Sequence, residues 1–165
     1  MEEATSMHAN IPRIDAELGK FSQACTVLLT ALAFILNLPV LVLITTIILA
    51  LSALLPAASP YRLLYRYILV RLGWLKPRIV EDDPAPHRFA QGVGTVFLLA
   101  STIVLFFTPS ALDWIGWALD LIVAILASIN WTIGFCAGCF VYYHLGRLGI
   151  LPKVRYEGDF HWRGV

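Results

Sequence analysis

The stretch FAQGVGTVFLLASTIVLFFTPSALDWIGWALDLIVAILASINWTIGF, residues 89–135, contains no basic residue. It is too long for one membrane crossing and suited to two, since a helix needs about 20 apolar residues to span the hydrocarbon. Thr108-Pro109-Ser110 places a turn signal near its middle. Residues 21–58 have the same character, broken by Asn37-Leu38-Pro39. All twelve Lys and Arg lie outside both blocks: Arg13 and Lys20, then Arg62, Arg66, Arg71, Lys76, Arg78 and Arg88, then Arg147, Lys153, Arg155 and Arg163. Assigning every cation to the cytoplasmic side predicts two transmembrane hairpins with both termini and the central loop in the cytosol.

The expected fold is therefore an all-α membrane protein with four transmembrane helices in two repeated hairpins, because lipid forces every backbone polar group to pair within the chain. Its divisions are a cytoplasmic segment over 1–20, a four-helix domain over 21–146 and a cytoplasmic tail over 147–165. The helices fall near 21–36, 39–55, 88–107 and 112–134, with short amphipathic interfacial helices after the second and the fourth. Tyr61-Arg62-Leu63-Leu64-Tyr65-Arg66 is the first of these, and Glu81-Asp82-Asp83-Pro84-Ala85-Pro86 reads as a polar loop.

Composition fits this class. Apolar residues make up 59% of the chain and charged residues 14%, against roughly a quarter charged in a soluble domain. A net charge of +1 leaves no basic face for nucleic acid once the cations sit at the membrane surface. Glu2, Glu3, Asp15 and Glu17 crowd the first twenty residues, so no cleavable signal peptide is expected. Localisation in a bacterial inner membrane follows as the expectation. Three cysteines near a reducing compartment argue against a structural disulfide framework.

The halves look duplicated. Lys20-Phe21-Ser22-Gln23 and Arg88-Phe89-Ala90-Gln91 open the two hairpins, and Arg71-Leu72-Gly73 matches Arg147-Leu148-Gly149 after them. Both copies point the same way, so a pseudo-twofold axis would run along the membrane normal.

Cys136-Ala137-Gly138-Cys139 is the one recognisable chemical motif. Such a pair cycles between dithiol and disulfide, supplies half of a zinc site, or simply packs as small residues beside Gly134 and Gly138. The redox reading needs a helix N-terminus to stabilise a thiolate, hence a break at Gly134 with a new helix beyond it. The positions aligned with the cysteines in the first repeat are Pro60 and Leu63. A zinc site would draw on Cys25, Cys136, Cys139 and His144, all at the cytoplasmic end. Asp120 lies about 10 Å deep in the fourth helix. It would be a neutral acid bonded to a hydroxyl such as Thr102, or a contact to another subunit. Asn130 and Thr132 are expected to bond between helices. Phe160 and Trp162 in the tail suit docking onto a partner. No haem pair, phosphate loop or catalytic triad appears, and no cofactor is implied.

Three segments carry a resemblance: Ser59-Pro60-Tyr61 through Arg71-Leu72-Gly73, Pro86-His87-Arg88-Phe89-Ala90-Gln91-Gly92-Val93-Gly94, and Asn130 through Cys136-Ala137-Gly138-Cys139 to Tyr142. Over about residues 18–146 the chain resembles the bacterial four-helix membrane family known as domain of unknown function 4395. The resemblance implies the four-helix fold and makes the cysteine pair a family feature. It also implies proximity to thioredoxin-like domains, which some relatives adjoin, but carries no catalytic residues. The leading expectation is a non-catalytic accessory subunit of a larger membrane complex, such as an electron-transfer assembly, held by lipid and other integral subunits. The alternative is a thiol–disulfide protein using Cys136 and Cys139 with a thioredoxin-like partner. A transporter is disfavoured, because Asp120 is the one ionisable group at depth.

Overall fold

Helix α1 (Ala16–Ile35) begins ahead of the apolar block because Asp15 caps it, its Oδ1 accepting the Glu17 N–H at 3.1 Å. The computed structural model describes residues 13–73 and 76–152. Asn37 takes a left-handed conformation, φ 51°, which asparagine tolerates. Pro39 then opens helix α2 (Pro39–Leu54), where a missing N–H costs nothing. Helix α3 (Pro60–Leu64) continues as a π-helical turn, Tyr65–Val70. Tyr61 and Tyr65 face inward while Leu63, Leu64 and Tyr67 remain exposed, as an interfacial helix requires.

Helix α4 (Pro84–Phe107) starts four residues before the expected Arg88. The run expected to be a loop supplies its first turn. Asp83 Oδ1 accepts the Ala85 N–H at 3.0 Å, and Pro84 fills the first position. A 3₁₀ turn, Ser110–Leu112, leads into helix α5 (Asp113–Ile133), and helix α6 (Ala137–Arg147) follows. One feature was not expected at all: strand β1 (Arg13–Asp15) pairs antiparallel with β2 (Ile79–Glu81), Ile14 opposite Val80. Three residues per strand are too few for an alternation pattern to register.

Among the described residues, three segments are long and apolar enough to cross a membrane: Ala16–Ile35, Pro84–Phe107 and Ser110–Ile133. Helix α2 is as apolar, but its 16 residues reach about 24 Å, short of the ~30 Å hydrocarbon. Helix α1 packs on α2 and α5, and α4 packs on the same two. A twofold relation that carries α1 onto α4 and α2 onto α5 would leave those contacts unchanged. Phe34 meets Trp117 edge-on at 5.8 Å, so both hairpin turns lie at one end. Lys20, Arg62, Arg66 and Arg88 line a single cavity at the other.

The helices meet through small and hydroxyl side chains around Ala33, Val42, Leu49, Leu98 and Val123. The Thr46 and Thr102 hydroxyls join α2 to α4 at 3.2 Å, where one donates to the other and the accepting one donates to the carbonyl one turn back in its own helix. Ser101 donates across to the Gly116 carbonyl of α5 at 2.7 Å. Bonds of this kind average about 0.6 kcal/mol in membrane bundles. Thr46→Val should therefore lower stability by about that amount in detergent unfolding. A loss above about 2 kcal/mol would mean that the packing here is of another kind.

Candidate functional site

Helix α5 ends at Gly134, whose φ of 77° and ψ of 15° put it in the left-handed region that glycine enters without a Cβ penalty. The break that the redox reading requires is therefore present. Cys136 becomes the N-cap of α6, and its sulfur accepts the Cys139 N–H at 3.2 Å. Cys136 and Cys139 are joined by a disulfide. It closes a two-residue loop rather than a framework, so it differs from the structural bridges that a reducing compartment disfavours.

Helix α6 is held against α4 in two ways. Phe89 and Tyr142 meet edge-on at 5.4 Å. Gly138 lies so close to Ala90 that an added Cβ would come within 2.7 Å of the Ala90 Cα. This approach brings the second cysteine to His87 in the first turn of α4. His87 Nδ1 stands 3.7 Å from Cys139 Sγ, and His87 Nε2 stands 3.3 Å from Asp82 Oδ2. A carboxylate only accepts, so Asp82 fixes the proton on Nε2 and leaves the Nδ1 lone pair toward sulfur. The chain Asp82–His87–Cys139 can hand a proton to or from the second sulfur.

Both cysteines are nearly enclosed, at 3% and 7% exposure. Cys136, His87, Gln23, Arg62, Arg88 and Gln91 border a cavity of about 870 Å³, so Cys136 is the cysteine of the pair that lines this open space. The two matched hairpin openings, Lys20–Gln23 and Arg88–Gln91, both reach this cavity. Tyr61 also lines it. Burial pushes its hydroxyl up to about 12, partly offset by the Thr26 hydrogen bond, so it remains a neutral donor.

The other expected site residues are placed elsewhere. His144 lies on the exposed face of α6, its ring against Phe140 and Tyr143, so it cannot share a metal with the cysteines. Cys25 is half-buried against the apolar core and is not part of the cluster. His87 takes the histidine's place instead: one ligand atom each from His87, Cys136 and Cys139 lies within 4.8 Å of the others. Asp120 is fully enclosed, and neither oxygen finds a partner among the described residues. That position is inside the bundle, away from any face open to another subunit. Thr102 is engaged by Leu98 and Thr46, not by Asp120. Thr132 donates to Ser128 in its own helix, and Asn130 borders the cavity. Phe160 and Trp162 lie outside the described residues.

The helices and this site define a helical bundle with segments long and apolar enough to span a membrane and a cysteine pair at a helix start. The family described as Domain of unknown function (DUF4395) matches residues 14–147, and the chain belongs to that family. Comparison with curated proteins and with solved structures finds no match.

Proposed function

We propose that this chain is a four-span protein of the bacterial inner membrane that exchanges a disulfide with a thioredoxin-like partner through Cys136 and Cys139. Helix α2 makes the fourth crossing by local thinning of the bilayer, a modest cost per ångström. The cations gathered around one cavity support a cytoplasmic position for that end, and with it both termini. One observation carries the redox reading: the pair begins a new helix, with Asp82–His87 against its second sulfur. The first repeat has Gly19, Pro60 and Leu63 at the positions aligned with His87, Cys136 and Cys139. The scaffold therefore folds without these groups, and packing alone does not account for them.

The partner's thiolate attacks Cys136 Sγ, and the Cys136–Cys139 bond breaks with its electron pair leaving on Cys139. His87 Nδ1 takes up the proton that the partner thiol gives up and passes it to that sulfur. The partner's second thiolate then attacks its own sulfur in the mixed disulfide, releasing the Cys136 thiolate. Two electrons pass from the partner dithiol to the pair, one of its protons ends on Cys139 and the other goes to solvent, and the partner leaves as a disulfide. In reverse, His87 takes the Cys139 proton so that this thiolate attacks Cys136. The cap donor and the α6 dipole favour the Cys136 thiolate throughout.

The test is to mix the oxidised protein, in lipid nanodiscs, with excess reduced thioredoxin-like dithiol. One partner disulfide should form per chain, and none with Cys136→Ser. A folded protein whose pair stays oxidised would overturn the reading. It would favour the accessory-subunit reading, in which Ser at both cysteines leaves a host complex intact.

A further inference from the structure

We infer that the dithiol form of this pair is a binding site for a thiophilic divalent ion of the zinc class, with Cys136, Cys139 and His87 as ligands. Zinc bonds of about 2.3 Å to sulfur and 2.0 Å to nitrogen, at tetrahedral angles, put the two ligand atoms ~3.5 Å apart. Cys139 Sγ and His87 Nδ1 already stand 3.7 Å apart, and all three ligand atoms fall within 4.8 Å. Opening the disulfide is the one change needed to free both sulfurs.

The surroundings match what such ions require. A metal-bound histidine usually gives its other N–H to a carboxylate, which orients the ring and raises its basicity. Asp82 Oδ2 sits 3.3 Å from His87 Nε2 in that role. Cys136 and His87 border the cavity, which gives an ion a way in and leaves a fourth position for water or a small ligand. Two thiolates also balance the charge of a divalent ion in a partly buried place. The electron pairs that bind the metal are the ones that form the S–S bond on oxidation, so metal and disulfide exclude each other.

This site shares its cysteines with the proposed exchange reaction but does not depend on it. An ion present at a hundred times its dissociation constant would shift the redox balance toward the dithiol by about a hundredfold. It would hold the pair reduced until the ion is removed.

The test titrates reduced, detergent-solubilised protein with Zn²⁺ alone. Cd²⁺ serves as the optical probe, through its sulfur-to-metal charge-transfer absorption. The expected result is one ion per chain, with up to about two protons released. The same protein after oxidation should bind none, which controls for folding. Asp82→Asn should weaken binding by about 10- to 100-fold, and His87→Ala by at least as much. Cys25→Ser and His144→Ala should leave it unchanged. Equal binding by the oxidised protein, full affinity in His87→Ala, or loss in Cys25→Ser or His144→Ala would overturn the inference. Metal binding without partner exchange would retain this site and discard the exchange reaction. Exchange without metal binding would do the opposite.

Discussion

Cys139→Ser, reduced and mixed with an oxidised thioredoxin-like partner, should build up a covalent adduct through Cys136 that is visible on a non-reducing gel. Cys136 borders the cavity and its sulfur accepts the backbone N–H of residue 139, which the substitution retains, so it should still attack the partner disulfide. The serine that replaces Cys139 cannot then displace the partner. In the proposed exchange the Cys139 thiolate of the wild-type protein completes that step within the chain, so its adduct should not persist. Cys136→Ser should form no adduct. His87→Ala should slow its resolution by about 10²-fold, the lower end of what a positioned base contributes. Equal adduct yields from the two serine variants would contradict the assigned roles.

Gly138→Ala should detach the site from its acid–base partner. The new Cβ would stand 2.5 Å from the Ala90 Cβ and 2.7 Å from its Cα. The second of these is backbone, so no rotamer change relieves it. Helix α6 must move away from α4, and Cys139 moves away from His87 with it. Overpacking of this kind costs about 1–3 kcal/mol, and exchange should fall as it does in His87→Ala. Gly92→Ala is the matched control in the same helix pair, since nothing lies within 4 Å of its added Cβ. It should leave unfolding and exchange within error of the wild-type protein or slightly stabilise the helix. A harmless Gly138→Ala would mean that the contact between α4 and α6 does not position the cysteines.

Much of the fold was legible because the strongest signals are local. Pro39 and Thr108-Pro109 divide the apolar blocks by chemistry that acts within one turn, and the start of α2 and the end of α4 fall at the expected residues. The start of α4 was misread because Pro84 and Pro86 suggest a loop, although proline fits a first helical turn when an acid such as Asp83 caps it. The β1–β2 ribbon joins segments more than sixty residues apart and leaves no periodic trace.

The site was half legible. The cysteine spacing marks the chemistry, and the condition on Gly134 can be stated from sequence. Whether Gly134 adopts a left-handed angle is decided by how α6 folds back onto α4. His87 escaped notice because its partners, Cys139 and Asp82, are set by that same fold-back. The signal available was its place in the Pro86–Gly94 segment, in a position where the first repeat has Gly19.

The most direct measurement is the thiol state of Cys136 and Cys139 in native membranes, fixed by acid quenching and read by alkylation mass shift. The expected result is a mixture of dithiol and disulfide that moves toward disulfide when the thioredoxin-like reductant is depleted and returns when it is restored. A pair fixed in one state through both treatments, in protein shown to be folded, would contradict it.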